Sequence, residues 1–179
     1  IIFINCGVWP EANFAAHSSA LGIIGSNLRS YVDSGGYLYA SDWAYYFVEQ
    51  GWPEHLDFRG VDLDAYDVLV GQLGLHAVAI TDNEMKAYTG LATATINLDL
   101  PQWAILLETN PDPALEIKTY LRGDARLMDG SVLTNVPFLS DFPSRGPDGH
   151  GGSVAYTAYH IHQNTPVNEF FTFIALNFK

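Results

Sequence analysis

Residues 28–47, LRSYVDSGGYLYASDWAYYF, constrain the fold of this chain more than any other stretch. Ile24, Leu28, Tyr31 and Val32 recur at helical spacing on one face, so residues 20–33 read as an amphipathic helix. Ser34-Gly35-Gly36 stops it, because glycine accepts the left-handed turn that ends a helix. YLYAS then reads as a short buried strand, and DWAYYFVEQ as a second helix. Upstream, IIFIN is a continuous apolar run, as expected of a strand covered on both faces. Strand, helix, strand, helix with short links is a βαβ unit, and it predicts an α/β domain with a parallel sheet.

The 179 residues show no break in composition, so they are expected to form a single domain over 1–179. The middle is less regular. Residues 52–68 read as a loop, LHAVAIT as a strand, and DNEMKAY as a short helix capped by Asp82. TATINLDL, WAILLE, EIKTYLRG and SVLTNVPFLSDF are all strand-like, which points to an antiparallel or mixed half. SVAYTAY is the last strand. Thr165-Pro166 opens a closing helix, with Thr165 as the cap. The run IIFINCG starts the chain within a strand and without an initiator Met, so a strand and any leader are expected upstream.

Twenty acidic residues stand against eight basic ones, a net charge of −12. That field repels phosphate backbones, so nucleic acid and anionic membrane are poor partners. No apolar run approaches the ~18 residues of a membrane span. Cys6 is the single cysteine, which excludes an intrachain disulfide and a thiolate cluster; it reads as a small hydrophobe within a strand.

Two places could carry chemistry. Ser41-Asp42 stands where a strand turns into a helix, above the carboxyl edge of the sheet, where backbone N–H groups gather. Either residue could be a functional elbow or simply a helix cap. The second place is GGSVAYTAYHIHQNT, which delivers His160 and His162 one residue apart. On a strand they share a face, and could serve as general base and partner, as metal ligands with a carboxylate from Asp42 or Asp141, or as surface residues. His17, His55, His76 and His150 have no comparable context and read as surface or loop residues.

The two segments together, LRSYVDSGGYLYASDWAYYF and GGSVAYTAYHIHQ, resemble the class I glutamine amidotransferase-like superfamily, especially its trehalose-utilisation (ThuA-like) branch. The resemblance covers residues 1–48 and 151–179. It implies a flavodoxin-like three-layer sandwich with a largely parallel central sheet, some antiparallel strands, and a first strand preceding Ile1. The family's cysteine falls at or beside Asp42, its histidine on His160, and its acid on His162, which is not acidic. Cys6, on another strand, is not expected to replace the nucleophile. Glutamine hydrolysis through a thioester is therefore not expected.

Three functions follow as expectations. The first is a non-catalytic amidotransferase-like scaffold or binding module of a bacterial secreted or envelope protein. The second is a hydrolase using Asp42 with His160 and His162. The third is self-assembly through an open strand edge and exposed Trp9, Trp43 or Trp52. The partner would be another protein or a second copy; no cofactor is expected, and a divalent metal ion enters only as an alternative, with the hydrolase reading.

Overall fold

The computed structural model describes residues 1–6, 11–59, 68–160 and 165–177. Strand β1 (Ile2–Ile4) is followed by helix α1 (Glu11–Asp33), strand β2 (Tyr37–Ser41), a single 3-10 turn (Asp42–Ala44) and helix α2 (Tyr45–Gly51). Helix α1 starts nine residues earlier than the periodicity suggests. The added residues 11–19 include three alanines, the best helix formers, so propensity extends the helix beyond its amphipathic stretch.

Next come β3 (Leu56–Asp57), β4 (Val70–Ile80), α3 (Asn83–Thr89), β5 (Thr93–Ala104) and β6 (Glu108–Thr109). Strands β7 (Lys118–Arg126), β8 (Val132–Arg145) and β9 (Gly151–Thr157) and helix α4 (Thr165–Asn177) complete the order. Asp82 caps α3 as its sequence predicts, accepting the Met85 N–H at 2.7 Å.

Among the described residues, seven strands form one sheet in the order β1-β2-β9-β8-β7-β4-β5, and β3 pairs with β6 apart from it. The β1–β2 and β2–β9 pairs are parallel, as the βαβ reading requires. The β9–β8, β8–β7, β7–β4 and β4–β5 pairs are antiparallel. The sheet is therefore mostly antiparallel, not largely parallel. The reason is the connections: a turn at Leu127–Ser131 joins β7 to β8, and a turn at Gly146–His150 joins β8 to β9. A parallel return needs a crossover of roughly a dozen residues.

Alternation along β2 sends its side chains to two different cores. Leu38 and Ala40 pack with Leu28 and Val32 of α1, Val48 of α2, and Val154 and Tyr156 of β9. Tyr39 goes the other way, with Ala155, Met85 of α3 and Phe170 and Phe173 of α4. One face of the sheet thus receives α1 and α2, and the other receives α3 and α4. No described helix is long and apolar enough to cross a membrane.

Candidate functional site

The three parallel strands all end at one edge of the sheet, and the residue types singled out above stand just beyond those ends. Such an edge is where open α/β sheets place their ligands. Asp42 follows β2, and His160 lies three residues past the end of β9. Cys6 lies two residues past the end of β1, and the structure brings it into the same group. The three residues bring one donor atom each to within 4.8 Å of one another.

Asp42 is held firmly. Its φ of 49° is left-handed, a conformation uncommon for any residue but glycine and one that Asp accepts better than most. The strain turns β2 sharply into the 3-10 segment, as at the elbows of hydrolase nucleophiles. The side chain is 1% exposed. Oδ1 accepts the Ala104 N–H at 2.7 Å, and Oδ2 lies 3.5 Å from the Cys6 Sγ and 3.3 Å from the His160 Nε2. The Tyr156 hydroxyl donates to the Asp42 carbonyl at 3.0 Å and locks the backbone of the turn.

The His160 imidazole is pushed up to about 10, chiefly by the Asp42 carboxylate and next by the Cys6 side chain, with burial opposing them. Its other nitrogen, Nδ1, lies 3.5 Å from Oδ1 of Asp99. Asp99 reaches it because β5 is irregular there. Gln72 pairs with Gln102 and Gly74 with Leu98, so three residues of β5 stand opposite one of β4. An insertion of this kind bends the strand and re-aims its side chains. Among the described residues, the recess beside these groups, walled by Leu98, Asp99, Leu100, Trp103, Ala158 and Tyr159, has no room for a water molecule.

The other sequence-based candidates are placed as follows. The Ser41 hydroxyl does not face the recess; it donates to the Asn5 side chain at 2.8 Å and ties the ends of β1 and β2 together. Asp141 accepts the Tyr120 hydroxyl at 2.9 Å and is not part of the cluster. His162 and Trp9 lie outside the described residues. Trp52 is fully buried and donates to Ser144, which corrects its reading as an exposed tryptophan; Trp43 is half-buried. His55 and His76 are buried, not superficial: His55 stacks on Phe142, and His76 contacts Trp103 and Phe138.

Cys6 is half-buried and faces Asp42, so its reading as a hydrophobe remote from the site is corrected. A signal for it exists in the sequence. Two adjacent parallel strands must end on the same side, which puts the residues after IIFIN beside those after YLYAS. Comparison with protein-family models, with curated proteins and with solved structures gives no match, so the site is interpreted from its own geometry.

Proposed function

We propose that this chain is a non-catalytic binding module of the amidotransferase-like kind, in a secreted or envelope protein of bacterial type, whose partner is another protein or a second copy of itself. The fold belongs with flavodoxin-like sandwiches on this reading. Support comes from the parallel β1-β2-β9 core with helices on both faces, to which β8, β7, β4 and β5 add an antiparallel wing. The observation that carries the functional reading is the state of the Asp42 carboxylate. It is buried, both oxygens are engaged, and the recess beside it admits no water. A nucleophile or general base must reach a substrate atom at hydrogen-bond distance, and this carboxylate is turned to its own chain.

A hydrolase acting through Asp42 and His160 is the second reading, and the left-handed φ at Asp42 favours it, because strained elbows gather at catalytic turns. Turnover of glutamine and of chromogenic esters and amides separates the two. The binding module shows no hydrolysis above the rate of Asp42→Asn, a change that keeps the left-handed turn. Asp42→Ala removes the buried carboxylate at His160 Nε2 and costs about 3–5 kcal/mol of stability in urea denaturation. Turnover by the wild type that Asp42→Asn abolishes, with unchanged stability, would overturn the proposal.

A further inference from the structure

We propose that Cys6, Asp42 and His160 are three ligands of a tetrahedral, zinc-type divalent ion. The proposal does not depend on whether the site turns over a substrate, and its test uses none.

The donor set decides the class of ion. A thiolate, an imidazole and a carboxylate together suit zinc, whereas calcium and magnesium take oxygen ligands. The spacing agrees. Zinc holds sulfur at about 2.3 Å and nitrogen or carboxylate oxygen at about 2.0 Å, so a tetrahedron sets its S···O edge at about 3.5 Å and its N···O edge at about 3.3 Å. The corresponding separations are 3.5 Å from Cys6 Sγ to Asp42 Oδ2 and 3.3 Å from His160 Nε2 to the same oxygen.

The groups around these donors fit as well. A metal-bound histidine almost always gives its other ring N–H to a carboxylate, carbonyl or water, and Asp99 stands 3.5 Å from His160 Nδ1. A ligating carboxylate is in turn held by a hydrogen bond, and the Ala104 N–H holds Oδ1 at 2.7 Å, leaving Oδ2 for the ion. The ligands stand just beyond the ends of three neighbouring strands of one sheet. A net charge of −12 raises the local concentration of cations. Binding replaces the Cys6 thiol proton and any proton on His160 Nε2 with the ion, and both protons go to solvent.

The test is metal uptake by protein stripped with EDTA. Equilibrium dialysis against micromolar zinc is expected to give one ion per chain. Cobalt(II) in its place is expected to show a thiolate-to-metal absorption band, which only Cys6 can supply, since the chain has a single cysteine. Cys6→Ser loses the band, and both Cys6→Ser and His160→Gln lose at least tenfold in affinity. Asp99→Asn keeps the band and loses about tenfold, as expected of an orienting group. Zinc also protects the wild-type thiol from iodoacetamide, a readout that needs no variant to fold. Absence of stoichiometric uptake, cobalt bound without the thiolate band, unchanged affinity in Cys6→Ser, or alkylation at the same rate with and without zinc would each overturn the assignment.

Discussion

Asp141 shows how one half-buried side chain sets a pH dependence. It sits in β8 beneath the Tyr120 hydroxyl, with Lys118 and Asp82 nearby. Burial dominates, and it pushes the carboxyl up to about 6, against the opposing pull of the Tyr120 hydrogen bond and the Lys118 charge. The folded chain therefore holds this proton more tightly than the unfolded chain, whose aspartates titrate near ~3.9. The contribution to stability is complete below that value and is lost as pH rises through about 6. At about 1.4 kcal/mol per pKa unit, the loss approaches about 3 kcal/mol. Asp141→Asn keeps an acceptor for Tyr120 and cannot ionise. Between pH 4 and pH 7 the wild type should lose about 2 kcal/mol more than this variant in urea denaturation. Parallel pH profiles would show that Asp141 ionises freely.

Among the elements, the two glycine pairs matter most to β2 and β9. Gly152 of β9 passes so close to the carbonyl of Gly36, just before β2, that a methyl group there would overlap the Gly36 oxygen. Gly35, by contrast, has open space around it and a φ of 96°. Gly35→Ala should thus cost only its left-handed penalty, about 1–2 kcal/mol. Gly152→Ala should cost more, because two paired strands must separate; thermal unfolding of the two variants compares them, and equal losses would contradict the packing argument.

How far elements could be read from residues follows similar lines. YLYAS and SVAYTAY are largely buried and were legible with IIFIN as neighbours in one sheet, as was the capped helix α3, but IIFIN is not covered on both faces as expected: β1 is an edge strand, and Ile1 and Phe3 are exposed. Strand β5 was not legible as one element, because Pro101 divides TATINLDL from WAILLE. Proline is tolerated there because β5 is the edge strand of the sheet and bulges at that point. The same bulge brings Asp99 to His160, a contact that no spacing in the sequence signals. Asp42 and His160 were legible through the strand ends they follow. The antiparallel wing was not, since alternation marks a strand without telling its direction.

At the scale of the whole molecule, charge is the main variable. Arg29, Lys118, Arg122 and Arg145 are already paired with carboxylates, so the remaining acids repel one another with little to offset them. Exposed pairs of this kind contribute little, whereas a net charge of −12 opposes compaction. Raising the ionic strength from about 0.01 M to about 0.15 M shortens the screening length from about 30 Å to about 8 Å. Tm should rise by a few degrees over that range, the response to roughly 1 kcal/mol in a chain of this size. A fall in Tm would mean that the ion pairs outweigh the repulsion.

The place of β9 in the sheet has a consequence for the order in which the molecule can be made. It is the last described strand in sequence and a middle strand in space, with β2 on one side and β8 on the other. During synthesis, the β1–β2 pair and the β8–β7–β4–β5 wing can each form while Gly151–Thr157 is still inside the ribosome. Until that segment emerges, both pieces carry an open hydrogen-bonding edge, the kind of surface on which nascent chains stick to one another. His160 follows three residues behind the strand, so the cluster with Cys6 and Asp42 is complete only after the two pieces have been sewn together.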